Sequence, residues 1–307
     1  MVATTYETEI VACPLCGADE LKPWFGRDGW RMGTCRGCGL LMQSPRVTAA
    51  SMAATQYDVG GEGTPTPRRA KNETAPLEPW ESKPQGAFIA GVDAVEAQRD
   101  PAAPRGLWLD IGTQTGGMLL AARARGYAIG GADVDTRAAA FCREHHGADV
   151  RSGTLAQAAF PDGAASVISY RHVLEHIHDL DPELAEARRV LEPGGLLLIE
   201  VPHGTGMRLW QDRLYCGLRL RSKHKLLRNV PQHLWYFRAR DLRKLLARAG
   251  FTVLSERTYG RWRAKPSWLR CLYESLRDRL RAGNKLRVVA RRDAGAGPRE
   301  PRTDAPD

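Results

Sequence analysis

The chain has 307 residues, 43% of them hydrophobic and 26% charged, a composition that fits one α/β domain plus a small added module and excludes a disordered or fibrous chain. No apolar run approaches the roughly 20 residues of a membrane-spanning helix. The start, MVATTYETEIVACPLCG, lacks a basic segment followed by an apolar core, which points to a cytoplasmic protein whose seven cysteines are thiols or metal ligands rather than disulfides.

The net charge of +10 is unevenly spread: residues 1–202 hold 19 Lys/Arg against 26 Asp/Glu, whereas residues 203–292 hold 24 against 5. That basic third is either a solvated arginine-rich face or a surface for something anionic: a phosphorylated small molecule, a membrane headgroup layer or nucleic acid.

In chain order, the first pattern is Cys13-x2-Cys16 followed by Cys35-x2-Cys38, each pair in a glycine-containing turn, CPLCG and CRGCG. Two such turns supply four thiolates to one tetrahedral zinc, and the interval between them fits a zinc ribbon over residues 1–48. Four sulfur ligands leave no open coordination position, so the metal is structural. A redox pair, the competing reading, needs only one turn. Cys142, Cys216 and Cys271 are expected to take no part.

Residues 49–84 read as a linker, rich in Gly, Pro and charge from residue 58 on. QGAFIAGVDAVEAQ (85–98) then places Phe88, Ile89, Val92 and Val95 at helical spacing and opens the main domain. From residue 106 strands and helices alternate. GLWLDIG, AIGGADV, ADVRSG, ASVISY and GGLLLIEVP read as strands. GGMLLAARARG, TRAAAFCREHHG and DPELAEARRVL read as the helices between them. This alternation predicts a parallel sheet with helices on both faces. After a basic stretch come a helix (RARDLRKLLARAG), a strand (FTVLSERT), a helix (WLRCLYESLRDRL) and a last strand (KLRVVARR). Residues 293–307 read as a disordered tail.

Residues 109–117, LDIGTQTGG, place a carboxylate and two well-spaced glycines between a strand and a helix. Ligands of open parallel sheets bind beyond the carboxyl ends of the strands, where strand order reverses. Asp133 ends the next strand, a spacing that suits an acid accepting hydrogen bonds from ribose hydroxyls. The pattern D-x-G-x-x-x-G differs from the dinucleotide G-x-G-x-x-G and favours a cofactor with an adenosine but no pyrophosphate.

LDIGTQTG, GADVD, FPDGAASVISYRHVLEHIHD, LEPGGLLLIEVP and ARDLRKLLARAGF resemble, in order and spacing, the motifs of class I S-adenosylmethionine-dependent methyltransferases, over roughly residues 106–292. The cysteine segment, CPLCG…CRGCGLLMQSPR, is similar to the zinc-binding stretch that precedes this domain in a group of bacterial methyltransferases. The resemblance implies a Rossmann-like α/β domain (85–292) with a seven-stranded, mostly parallel sheet whose last strand is antiparallel. It implies that Asp110, Gly112, Thr113, Gln114 and Gly116 form the loop around the methionine end of S-adenosylmethionine. Asp133 would hold the ribose, Val134 would lie beside the adenine, and Thr154 and Leu155 would line its other side. Tyr170, Arg171 and His172 would face the reacting methyl group. Two positions depart from the family pattern. Gln114 stands where a glycine or small residue is usual, its side chain intruding on the cofactor, turning away, or donating to the cofactor's carboxylate. Ser166 stands in place of an aspartate.

Methyl transfer from a sulfonium needs a positioned nucleophile and, for a hydroxyl, a base. His172, His176, His203 and His233 are the candidates. Glu175 and His176 also suit a purely structural role, anchoring a loop by hydrogen bonds. If helical, His172, Glu175 and His176 share one face and could hold a divalent metal. Residues 204–232 read as a basic lid with Arg and Lys available to phosphate or carboxylate. Trp268, Leu269, Leu272, Leu276 and Leu280 form an amphipathic stripe for packing on that lid or for peripheral contact with an anionic membrane. These features describe O-methylation of a small or lipid- or glycan-linked anionic acceptor. The alternatives are a nucleic-acid-binding or RNA-methylating protein and a non-catalytic scaffold; the ribbon region is not basic, which counts against nucleic acid.

Overall fold

A computed structural model of the chain describes residues 7–27, 29–56, 86–205, 232–260 and 283–295. The lid residues 206–231, the amphipathic stripe at 268–280, the linker from 57 to 84 and the tail beyond 295 lie outside the described residues. Among the described residues no helix is long and apolar enough to cross a membrane.

The amino-terminal module is built from β1 (Thr8–Glu9), β2 (Leu21–Arg27), β3 (Trp30–Cys35), β4 (Leu41–Gln43) and β5 (Arg46–Val47), with β1 antiparallel to β5. Strands β2, β3 and β4 form an antiparallel sheet, and α1 (Ala49–Gln56) follows. That helix begins the segment expected to be linker.

The main domain opens on α2 (Gly86–Glu96), which buries Phe88, Val92 and Val95 as their spacing predicts, whereas Ile89, expected with them, is exposed. Alternating strands and helices follow: β6 (Leu107–Ile111), α3 (Gly117–Arg123), β7 (Ala128–Asp133), α4 (Thr136–His146), β8 (Asp149–Ser152), a short α5 (Leu155–Ala158), β9 (Ala165–Arg171), α6 (Leu180–Val190) and β10 (Leu191–Pro202). Among the described residues there follow β11 (Trp235–Tyr236), α7 (Ala239–Arg248), β12 (Phe251–Tyr259) and β13 (Lys285–Arg292). Every strand expected from residue 106 onward is present; α5 was not expected from the sequence.

Seven strands form one sheet in the order β12-β13-β10-β9-β6-β7-β8. Neighbours among β10, β9, β6, β7 and β8 run parallel, and β13 is antiparallel to both β10 and β12. The chain leaves the central β6 for β7 and β8, then returns to β9 on the other side. Strand order therefore reverses between β6 and β9, which puts the cleft for a ligand at the carboxyl ends of those two strands.

Each face of the sheet carries its own core. Phe88, Val92, Trp108, Met118 and Leu119 pack on one face. The other core joins Leu155, Leu184, Leu242 and Leu246 to Trp30, Met32, Leu40 and Met42 of the ribbon. The ribbon thus shares a core with the sheet. Main-domain strand β11 also completes the ribbon's sheet, pairing Trp235 with Met42 and Tyr236 with Leu41.

Candidate active site

The two cysteine turns are built alike. The amide of Gly17 donates to the Cys13 carbonyl and that of Gly39 to the Cys35 carbonyl, while the amides of Cys13 and Cys35 donate to Ala18 and Leu40. Gly17 and Gly39 take the left-handed φ values, 72° and 77°, that close each turn. The Sγ atoms of Cys13 and Cys38 are 3.5 Å apart, as are those of Cys16 and Cys35, and all four lie within 4.8 Å of one another. Zn–S bonds near 2.3 Å place sulfurs about 3.8 Å apart at tetrahedral corners, so the donor set fits a structural zinc. The hydrogen bond to Cys38 and burial push the Cys13 thiol well up, and the same bond pulls Cys38 down to about 5. Cys142 lies elsewhere, buried beside the loop after β6 with Sγ 3.4 Å from the Gln114 carbonyl. Cys216 and Cys271 lie outside the described residues.

The loop after β6 alternates left-handed residues: Gly112 at φ 74°, Gln114 at 47° and Gly116 at 82°. A Cβ on Gly112 would stand 2.5 Å from Val173 Cγ2, and one on Gly116 would stand 2.5 Å from His146 Cδ2. The backbone explains why a glycine usually occupies the centre of this loop, and Gln114 adopts the same conformation at a cost of about 1–2 kcal/mol. In exchange its backbone amide donates to Asp133 Oδ2 at 2.8 Å, and the residue is exposed. Replacing Gln114 by glycine is therefore expected to leave folding stability unchanged or raise it by up to about 1 kcal/mol, measured by urea unfolding. A loss of stability would show that the side chain makes a contact worth more than the strain.

Asp110 is buried at the end of β6. Ser169 donates to its Oδ1 at 2.5 Å, and Ser169 Oγ in turn accepts from Trp108 Nε1 at 2.8 Å. Burial raises the Asp110 carboxyl to about 8, against the opposing effects of the Ser169 bond and nearby Arg171. Asp133 accepts from the amides of Gln114 and Asp135, with Thr113 Oγ1 at 3.4 Å. Burial raises it as well, and those amides counter the rise. Beside it Val134 is 36% exposed, an apolar surface next to a buried acid at the mouth of the cleft.

Across the switch point, His172 follows β9 at φ 58°, its amide donating to the Glu200 carbonyl. A bulky residue in that conformation is strained, and such strain collects at functional sites. Its Nε2 is 2.8 Å from Lys285 Nζ and its Nδ1 is 3.4 Å from Glu175 Oε1. An ammonium only donates, so Nε2 is the acceptor and Nδ1 carries the proton facing Glu175. Glu175 is fully buried, which would raise its carboxyl, but the His172 contact and the neighbouring His176 and His233 hold it below the usual range. His176 donates from Nδ1 to the Gln232 carbonyl at 2.8 Å, and its ring meets that of His233 edge-on at 4.8 Å. Burial pushes His233 down to about 4.

Several expected residues are placed otherwise. Tyr170 does not face the cleft: it is fully buried and donates to Glu183 Oε1 at 2.6 Å, toward α6. Leu155 is in the core, and Thr154 spends its hydroxyl capping α5 with Gln157, so only their backbone is left for an adenine. Arg171 reaches the cleft but is held by Glu200 Oε2 at 2.9 Å and stacks 4.3 Å over Phe88. His203 is structural, with Nδ1 on the Gly283 carbonyl and Nε2 on Thr205 Oγ1. Ser166 donates to the Leu107 carbonyl, a local bond between strands. The HVLEH segment is a 3-10 turn at Leu174–His176 rather than an α-helix, and it brings His233 to Glu175 and His176 while turning His172 toward Lys285. Ser169, Glu200 and Lys285 were not singled out in the sequence. The only signal for Glu200 was a carboxylate inside the apolar run LLLIEVP.

The ribbon fixes this loop. Gln43 Nε2 donates to the His233 carbonyl at 2.7 Å and Arg46 Nη1 to the His178 carbonyl at 2.7 Å. His178 Nε2 returns a bond to the Val47 carbonyl, and Trp235 Nε1 donates to Ile177. Arg238 Nη2 donates to the Cys38 carbonyl at 2.9 Å, tying α7 to the cysteine cluster.

Comparison with known proteins adds a family to this geometry. Residues 81–256 match the family model described as a methyltransferase domain. A Mycolicibacterium smegmatis protein described as a probable S-adenosylmethionine-dependent methyltransferase is 30% identical over 124 residues, 40% of this chain and 43% of that protein. The demethylmenaquinone methyltransferase of Thermus thermophilus is 30% identical over 165 residues, 48% of this chain and 75% of that protein. The chain thus spans less than half of the first relative's length and three quarters of the second's. Among solved structures, a chain from the Haloferax volcanii complex of the Trm112 methyltransferase activator with a methyltransferase superposes with a TM-score of 0.51 at 17% identity. That match covers 70% of this chain and 94% of the other, and it supports the fold alone.

Proposed function

We propose that this chain, which belongs to the methyltransferase domain family, transfers a methyl group from S-adenosylmethionine to an oxygen of a small or lipid- or glycan-linked anionic acceptor. The bound cofactor supplies a methyl group on a sulfonium, already a good leaving group. The chain's residues hold the two partners in line and handle the proton. Asp110 and the backbone of Gly112, Thr113, Gln114 and Gly116 take the amino-acid end. Asp133 takes the ribose hydroxyls, Val134 covers one face of the adenine, and the Thr154–Leu155 backbone lies on the other. The glycines whose Cβ positions are blocked and the exposed apolar surface beside a buried acid both suit that ligand.

One observation carries the acceptor chemistry: His172, strained at the switch point, holds an unprotonated Nε2 against Lys285, with Glu175 behind Nδ1. A hydroxyl entering between His172 and Lys285 meets a base and a cation together. Lys285 favours an anionic acceptor and an incipient alkoxide, and Glu175 favours the imidazolium that forms as the proton moves. His176 and His233 support the same loop. The strongly basic segment 203–292 adds attraction for a negatively charged acceptor. The test is incubation with methyl-labelled S-adenosylmethionine and separated lipid, glycan, small-metabolite and RNA fractions. Label in an anionic lipid, glycan or metabolite fraction is expected, with His172→Asn slowing it by roughly 100-fold or more. Label in RNA would replace the acceptor, and bound cofactor with no labelled fraction would leave a scaffold.

The position of Asp110 gives a pH dependence with a definite sign. Burial pushes its carboxyl up to about 8 in the folded chain, against about 3.9 when unfolded. The folded state therefore keeps a proton that the unfolded state has lost, and this group's contribution to stability falls as pH rises from about 4 to 8. A cofactor ammonium favours the ionised carboxylate and must displace that proton below pH 8. S-adenosylhomocysteine affinity is therefore expected to rise between pH 6 and pH 8, by up to about tenfold per pH unit. Asp110→Asn should bind weakly with a flat profile in calorimetric titration. A flat wild-type profile would remove Asp110 from the amino-acid end.

A further inference from the structure

We infer that Glu175, His176 and His233 form a second metal site, distinct from the cysteine cluster and suited to a zinc-class divalent cation. One ligand atom from each residue lies within 4.8 Å of the others. Glu175 is 0% exposed, yet neither carboxylate oxygen has a hydrogen-bond partner, and the buried Nδ1 of His233 has none either. A buried carboxyl whose oxygens complete no hydrogen bond is costly, and proteins avoid it by pairing the group or giving it a metal. Among the described residues no lysine or arginine pairs with it; its one ion-pair-range contact is the neutral ring of His172, with Nδ1 at 3.4 Å, long for a hydrogen bond.

The imidazoles are prepared for an ion. The Gln232 carbonyl accepts the Nδ1 proton of His176, which fixes the tautomer and leaves Nε2 with its lone pair, as the acceptors hydrogen-bonded behind metal-bound histidines do. The backbone of His233 is held in turn by Gln43 of the ribbon, and the amide of Leu234 donates to the Glu175 carbonyl. Two imidazole nitrogens and one carboxylate favour zinc over magnesium, whose sites are built of oxygen. Three protein ligands leave a coordination position open, the arrangement of catalytic zinc sites. The inference does not depend on the identity of the methyl acceptor.

The test is metal stoichiometry on the full-length protein, by equilibrium dialysis against zinc chloride and elemental analysis, with S-adenosylhomocysteine binding measured on the same samples. Wild type is expected to hold two zinc ions per chain, and Glu175→Gln and His233→Asn one each with the ribbon zinc retained. The affinity lost at the second site should exceed the roughly 10- to 100-fold that is lost when only a residue hydrogen-bonded to a ligand is changed. Cobalt substitution should show thiolate-to-metal charge transfer from the ribbon site and a second, weaker signature without it, absent in both variants. His233→Asn decides the matter should Glu175→Gln fail to fold. One zinc per chain in the wild type at saturating zinc, or a second zinc that persists in the folded variants, overturns the site. Unchanged S-adenosylhomocysteine binding beside either result separates this inference from the proposed function.

Discussion

Stripping zinc from the cysteine cluster is expected to lower the melting temperature of the full-length protein by on the order of 10 °C and to weaken the active-site loop with it. Structural zinc contributes folding free energy outright, apparent values reaching about 10–16 kcal/mol in isolated zinc modules. Loss of even about 4 kcal/mol moves the midpoint by roughly 10 °C in a domain of this size. The effect should spread because the ribbon is not a separate bead. Its sheet is completed by Trp235 and Tyr236, its core joins one face of the main sheet, and Gln43 and Arg46 hold the backbone of His233 and His178. Thermal melts with and without a thiophilic chelator, and with Cys38→Ser, measure it. A melting temperature indifferent to zinc would mean that the four thiols are not a metal site or that the ribbon stabilises nothing beyond itself.

Asp133→Ala should weaken S-adenosylhomocysteine binding by roughly 30- to 700-fold, the equivalent of about 2–4 kcal/mol for two hydrogen bonds to a charged acceptor. Fold loss is a smaller part of the outcome. The carboxylate also accepts from the amides of Gln114 and Asp135, and those sit at the cleft mouth where water can replace it. Titration calorimetry on a variant shown by circular dichroism to be folded separates the two. Affinity unchanged from wild type would place the ribose elsewhere.

Much of this architecture is legible in the residues because it follows from periodicity and punctuation. Alternating apolar strands and helices ended by Gly126 and Gly147 give the order of elements, and the paired C-x2-C turns give the cluster. What needs three dimensions is the pairing across the sheet. The two-residue strand Trp235–Tyr236 has no period of its own, and its register with Leu41 and Met42, which joins the ribbon to the main domain, is visible only in the folded chain. Tyr170 follows the motif into the expected position, but strand alternation points it to the core face, where Glu183 waits. Lys285 reaches His172 because β13 runs antiparallel and begins at the carboxyl edge, a contact across 113 positions of sequence. His233 joins Glu175 because a 3-10 turn replaces the helix that i, i+3, i+4 spacing suggests.

Gln114 shows how sequence and backbone argue together. The glycine usual at that place is a requirement on φ, and glutamine meets it at an energetic cost, its residue exposed to solvent. Titration of the wild type and of Gln114→Gly with S-adenosylhomocysteine therefore bears most directly on the central claim, that this loop and Asp133 form a working cofactor site. Both proteins are expected to bind one equivalent, with affinities within about tenfold of each other, since one neutral hydrogen bond is worth about 1 kcal/mol. A wild type that fails to bind while the glycine variant binds would contradict it, leaving a chain with the fold of a methyltransferase and a blocked site.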